Sequence, residues 1–184
     1  MNTNGFKLVT SNTFKLKEYH RYGLKELGIE KGKDLKEVHA DEQTVILYKS
    51  LEAGLGHIVE DTSLVIEGAD VGVNVRWLLD TIRDHHGKKA VWNVWLGKND
   101  GEYITLYKKS LNGTIVDAIA EPDAFGFDPY FQPEGSEYTL YQLEKQGNKD
   151  LFSPRKWAAE SLLRDEFIVK RRITDIPEWT GDYQ

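Results

Sequence analysis

Residues 90–108 read AVWNVWLGKNDGEYITLYK. Ala90–Gly97 and Glu102–Lys108 are rich in β-branched and aromatic residues, which suit a pleated, half-buried surface. Between them lies Lys98–Gly101, KNDG, and Asp100–Gly101 is a strong hairpin signal. The two runs therefore predict paired strands. Leu111–Ile119 predicts a second turn at Asn112–Gly113, followed by a strand TIVDAI. Together they make an antiparallel meander in the second half of the chain.

The first half has a different pattern. Phe6–Thr10, FKLVT, reads as a short strand, and Ser11 and Asn12 are good N-cap residues. Phe14, Leu16, Tyr19, Tyr22, Leu24 and Leu27 fit one helical face over Thr13–Leu27, with Gly28 as the stop. A strand that enters a helix through Thr10-Ser11-Asn12 presents backbone N–H groups to an anion, and Lys15 lies one turn further on. The same residues also read as a plain capped junction. Asp34–His39 alternates weakly as a strand, and Glu42–Leu55 reads as a helix ended by Gly54 and Gly56. Ile58–Ile66 reads as a strand carrying Glu60 and Asp61 side by side. Adjacent carboxylates are costly to bury unless a cation answers them. Oxygen ligands of this kind suit Mg²⁺. A solvated turn after a strand is the alternative.

Gly68–Gly72 reads as a loop and Val73–Asp84 as a helix with Val75, Leu78, Leu79 and Ile82 inward. His85 and His86 follow as a helix C-terminal cap, and His20, His39 and His57 read as structural. Tyr138–Leu143 is a short helical segment. Ser153–Val169 is a final helix with Ser153 as cap and Pro154 at its first position.

The meander leads into Asp123–Pro133, DAFGFDPYFQP. If extended, Phe125 and Phe127 share a face, with Gly126 leaving room for a flat ligand. Pro129 restricts Asp128 to extended conformations. An aromatic platform beside a fixed carboxylate suits a nucleobase, since base stacking contributes roughly 1–3 kcal/mol. An aromatic turn that plugs a small core is the competing reading.

The bulk numbers narrow the classes. The chain has 184 residues, no cysteine, a net charge of −6 and a pI near 5.4. Disulfides and thiolate chemistry are excluded. The acidic balance argues against a nucleic-acid backbone as partner but leaves a single nucleotide open. No run approaches the ~18 apolar residues of a membrane span, and MNTNGFKLVTSN lacks signal-peptide character. A cytoplasmic protein with no membrane partner is expected.

In order, T-S-N-x-x-K at Thr10–Lys15, V-E-D-T at Val59–Thr62, F-G-F-D-P at Phe125–Pro129 and K-x-x-x-S-P-R at Lys149–Arg155 resemble the HAM1-type inosine triphosphate pyrophosphatases. The resemblance covers roughly residues 6 to 165. It implies an α/β fold of ITPase/Maf type, with an elongated mixed central sheet, two lobes and a substrate cleft between them. This forms a single domain over residues 1–184, with an extension from about 170. It implies hydrolysis of non-canonical purine nucleoside triphosphates to monophosphate and pyrophosphate with Mg²⁺ or Mn²⁺, and a homodimer.

By the same resemblance, Thr10, Ser11, Asn12, Lys15, Lys49 and Lys149 hold phosphates. Asp61 and Glu37, the latter from the D-L-x-E segment, bind metal directly, and the adjacent Glu60 binds it through water. Asp61 also orients the attacking water. Phe125, Gly126 and Phe127 seat the base, Asp128 meets its edge, and Arg155 donates to a 6-oxo group. Thr62 and Ser153 complete the substrate contacts.

Two departures bear on the base. Ser153-Pro154-Arg155 stands where the family has S-H-R, so a histidine donor is absent. Asp70-Val71-Gly72 replaces a G-x-P-G segment. A relative with shifted base preference and a nucleotide binder without turnover are the other readings. Lys170–Gln184 runs past the family's usual end and is expected to wrap the body or form a dimer contact.

Overall fold

The computed structural model describes residues 5–31, 34–69, 79–119 and 121–184. The Asp70-Val71-Gly72 departure and most of the helix expected at Val73–Asp84 lie outside the described residues. Its end is seen at residues 79–81, which are helical and run into a 3₁₀ turn, Ile82–His85.

The strands are β1 (Lys7–Val9), β2 (Gly28–Glu30), β3 (His57–Ile66), β4 (Lys89–Asn99), β5 (Tyr103–Ile115), β6 (Phe131–Pro133) and β7 (Val169–Arg172). They form one open sheet in the order β2-β1-β3-β4-β5-β6, with β7 also on β5. β1 runs parallel to β2 and β3, whereas β5 runs antiparallel to β6 and β7. The sheet is therefore mixed, as an early strand–helix pattern followed by a meander requires. The α-helices whose full extent lies among the described residues are α1 (Thr13–Arg21), α2 (Glu42–Ala53), α3 (Leu140–Lys145) and α4 (Pro154–Arg164). Among the described residues no helix is long and apolar enough to cross a membrane.

The chain forms two compact units. Unit 1 comprises residues 1–61, 94–109 and 155–184. Its core gathers Ile46 and Ala53 of α2, Val59 of β3, Trp95 of β4, and Ile104 and Leu106 of β5. α2 lies close on β4: a Cβ added at Gly97 would sit 1.8 Å from Ser50 Oγ. That contact fixes the helix that carries Lys49. Unit 2 comprises residues 62–93 and 110–154. There Phe127 packs edge-on against Trp92 at 5.6 Å between centroids and lies 5.9 Å from Phe131.

Four local expectations fail for identifiable reasons. α1 stops at Arg21, and Gly28 opens β2 instead of ending a helix. The Asp34–His39 alternation yields only an isolated bridge at Val38. Asn112–Gly113 is not a turn but lies within β5, where Gly113 pairs with Pro133. A Cβ on Gly113 would approach Gln132 O to 2.5 Å and the Phe131 ring to 2.6 Å, so this glycine serves close strand approach.

The last helix is shorter than Ser153–Val169. It closes at Arg164 because Asp165 takes φ +55°, with Asp165 N–H on Leu162 O and Glu166 N–H on Ser161 O. That is a Schellman closure with aspartate where glycine is usual. Tyr107 OH donates to Asp165 Oδ1 at 2.8 Å and holds the residue there.

Candidate active site

Unit 1 carries two charged clusters. The first begins at the β1–α1 junction. Asn12 caps α1 by accepting from Phe14 N–H at 2.9 Å, while Thr10 Oγ1 accepts from Asn12 N–H at 3.0 Å. Ser11 between them is exposed. The helix then presents Lys15, Glu18 and Tyr19 on one side, as spacings of three and four dictate. All three turn toward charge. Lys15 Nζ lies 3.1 Å from Glu60 Oε1, and Tyr19 OH donates to Glu60 Oε2. Arg155, at the second position of α4, donates to Glu60 through Nε and Nη2, each at 2.9 Å. Its Nη1 reaches Glu18 at 2.5 Å.

Burial opposes the charge on Glu60, but Arg155 and then Lys15 outweigh it and hold this carboxyl well below the usual range. Burial, followed by the Glu60 charge, pushes the Tyr19 hydroxyl well up. Glu60 is thus a fixed anion, gripped by three residues from two elements, Lys15 and Tyr19 of α1 and Arg155 of α4.

Asp61 points elsewhere, because neighbouring strand residues face opposite ways. Lys49, on α2, donates to Glu37 Oε1 at 2.7 Å and to Asp61 Oδ1 at 3.3 Å. Burial pushes Asp61 up; Lys49 pulls it down, and Glu37 pushes it up again, leaving the net shift upward. Burial would lower Lys49, but Asp61 and Glu37 raise it overall. Two carboxylates therefore share one ammonium, and the cluster keeps an excess negative charge. Among the described residues, no group of three or more His, Asp or Glu side chains forms a preassembled metal cage. Mg²⁺ does not need one, since it takes one or two carboxylates together with water and substrate phosphates. Glu37 and Asp61 fit that donor set.

In unit 2 residues 123–130 run through turns, and only Phe131–Pro133 at the end of the stretch is extended, as β6. Asp128 N–H donates to Phe125 O at 3.1 Å and Tyr130 N–H to Phe127 O at 2.9 Å, with Gly126 at φ +54°. Phe125 and Phe127 consequently separate: Phe125 is 52% exposed, whereas Phe127 is buried. Asp128 and Lys149 form a buried ion pair at 2.5 Å. Thr62 is half-buried on β3, and Ser153 is buried just before α4.

Glu18 and Tyr19 were not singled out as site residues from the sequence. Their spacing of three and four from Lys15 was the available signal. Tyr19 instead counted as part of an apolar helix face, which it also is.

The fold and the two charged clusters define an open, mixed-sheet α/β protein with paired carboxylates and lysines beside a capped helix start. Within that class the assignment is specific. The Ham1 family profile matches residues 6–165, and the chain belongs to the Ham1 family. The chain is 28% identical over 137 residues to the dITP/XTP pyrophosphatase of Hyperthermus butylicus, covering 66% of this chain and 72% of that protein. It is 27% identical over 160 residues to the inosine triphosphate pyrophosphatase of Scheffersomyces stipitis, covering 78% and 80%. Among solved structures, the Staphylococcus aureus Ham1 protein superposes with a TM-score of 0.62 at 19% identity, over 87% of this chain and 97% of that one. A HAM1 protein from Coxiella burnetii gives 0.62 at 18% identity, over 88% and 98%. These likenesses establish the mixed, open α/β fold.

Proposed function

We propose that this protein is a divalent-metal-dependent nucleoside triphosphate pyrophosphatase acting on non-canonical purine nucleotides such as ITP, dITP and XTP. The observation that carries the reading is the Glu37–Lys49–Asp61 cluster in a Ham1-family chain whose curated relatives are pyrophosphatases of dITP, XTP and inosine triphosphate. Glu37 and Asp61 hold Mg²⁺ or Mn²⁺. When bound, the ion neutralises phosphate charge and acidifies water.

The chain's own groups do the rest. Asp61 orients the attacking water and accepts a proton from it. The water oxygen bonds to the α-phosphorus and the bond from that phosphorus to the bridging oxygen breaks. Pyrophosphate leaves with that oxygen, and Lys15 and Lys49 meet its charge. Asn12 and the start of α1 orient phosphate oxygens. Glu60 acts in this reading as the buried anchor for Lys15 and Arg155. The assignment of Phe125, Gly126 and Phe127 to the base, of Asp128 to its edge and of Lys149 to a phosphate rests on the family resemblance alone; of the two rings, Phe125 is the exposed one. A homodimer and a cytoplasmic setting rest on the family resemblance and on the sequence.

One observation favours a second reading, a member with shifted base preference. Pro154 begins α4 where the family has histidine, and three nitrogens of Arg155 are engaged by Glu60 and Glu18. The test is a panel of ITP, dITP, XTP, GTP and ATP with Mg²⁺, assayed for pyrophosphate. Preference for the first three supports the primary reading. Comparable turnover of ATP supports the second, and no release from any substrate overturns both.

A further inference from the structure

The Ham1 match ends at residue 165, yet the following segment is built into unit 1. β7 pairs with β5 from Val169 to Arg172, and Ile173 and Ile176 pack against the unit 1 core. Beyond them Pro177 O accepts from Tyr48 OH at 2.8 Å. Trp179 packs edge-on against Tyr48 at 5.2 Å, and its Nε1 donates to Asp182 O at 3.0 Å. Residues 182–184 then run back along residues 37–39. His39 N–H donates to Asp182 O and Gln184 N–H to Glu37 O, both at 2.9 Å, with Val38 and Tyr183 in an antiparallel bridge. Lys36 Nζ adds a cation–π contact 5.6 Å from the Tyr183 ring centroid.

Residues 34–37 belong to no helix or strand. A carboxylate on such a segment loses conformational freedom when it binds a cation, and fixing its backbone beforehand lowers that cost. Tyr48 sits next to Lys49 on α2, so the strap joins the helix bearing Lys49 to the segment bearing Glu37. We propose that residues 177–184 form a strap that positions Glu37 for divalent-cation binding, with Trp179 as its anchor. The inference rests on the reading of Glu37 and Asp61 as cation ligands. Trp179 is a positioning residue and touches no reacting atom.

The test uses full-length wild type, Trp179→Ala and the conservative Trp179→Phe. The probe is Mn²⁺ alone, followed by its electron paramagnetic resonance signal, together with hydrogen exchange at the His39 amide. Trp179→Ala is expected to weaken Mn²⁺ binding by about 10- to 100-fold, the range for residues that orient metal ligands. It also speeds exchange at His39, while Trp179→Phe retains most of the affinity. The Mg²⁺ concentration for half-maximal pyrophosphate release rises in step, with kcat at saturating Mg²⁺ little changed. Wild-type Mn²⁺ affinity in a Trp179→Ala protein overturns the proposal, whether or not His39 exchange has quickened. If Trp179→Ala does not fold, Tyr48→Phe, which deletes only the hydroxyl bond to Pro177, is read in the same way. Failure of the wild type itself to bind Mn²⁺ overturns the cation-site reading and the strap with it, a result distinct from a defect confined to the variants.

Discussion

Arg155 holds Glu60 in a two-pronged grip, Nε to Oε2 and Nη2 to Oε1, each at 2.9 Å, with both side chains buried. The two residues are 95 positions apart, so the contact ties the start of α4 to β3 inside unit 1. A guanidinium fork matches a carboxylate in a way an ammonium cannot. Removing one partner leaves the other charged and buried. Arg155→Ala is therefore expected to destabilise the protein by about 3–5 kcal/mol, read from urea or guanidinium denaturation. A loss below about 1 kcal/mol, the scale of an exposed pair, would contradict the structural weight given to this contact.

The same pair sets an acid limit. The folded pKa of Glu60 lies below its unfolded value of about 4.3. The unfolded chain therefore takes up this proton first as pH falls. The stabilisation is full above about pH 4.3 and drains away as pH drops toward the lower folded value. Denaturation midpoints of the wild type should fall below that pH more steeply than those of Glu60→Gln, which has no proton to gain. Equal slopes would show that Glu60 is not the group responsible.

Gly113 offers a prediction about the fold. Gly113→Ala places a methyl 2.5 Å from Gln132 O and 2.6 Å from the fully buried Phe131 ring. Strand β6 must shift, at a cost of about 1–3 kcal/mol as for other overpacked sites. Thermal denaturation of the variant measures it, and an unchanged midpoint would contradict the close approach of β5 and β6.

Much of this architecture was legible in the sequence, and the gaps have physical causes. The β4–β5 hairpin was announced by Asp100–Gly101, because a turn residue speaks for its own conformation. Gly113 misled, because glycine serves a tight turn and a close strand contact equally well, and only the partner strand decides between them. The end of α4 was invisible because Asp165 replaces glycine and is held by Tyr107, 58 positions away. β7 escaped notice because Val169–Arg172, VKRR, has no apolar alternation of its own and is a strand only through its pairing with β5.

The ordered motifs pointed to Lys15, Glu60, Asp61 and Arg155, which lie in the two charged clusters of unit 1. They did not reveal that Glu60 faces Arg155 while Asp61 faces Lys49, since that division follows from which way each side chain leaves β3. Asp123–Pro133 allows an extended aromatic platform or an aromatic turn that plugs a small core, and backbone bonds decide for turns over residues 123–130, with only Phe131–Pro133 extended.

Asp61 carries the proposed proton transfer. Asp61→Asn keeps the shape and removes the base, so kcat should drop by about 10²–10⁴-fold while the circular dichroism spectrum and denaturation midpoint stay near those of the wild type. A variant keeping more than about a tenth of wild-type kcat, a barrier change of only ~1.4 kcal/mol, would remove Asp61 from the mechanism.

The most direct measurement follows the oxygen of the attacking water. Hydrolysis of dITP in ¹⁸O-labelled water, with products separated and weighed by mass spectrometry, reports which phosphorus is attacked. Attack at the α-phosphorus predicts one ¹⁸O in the nucleoside monophosphate and none in the pyrophosphate. Label in the pyrophosphate, or orthophosphate as the first product, would contradict the account.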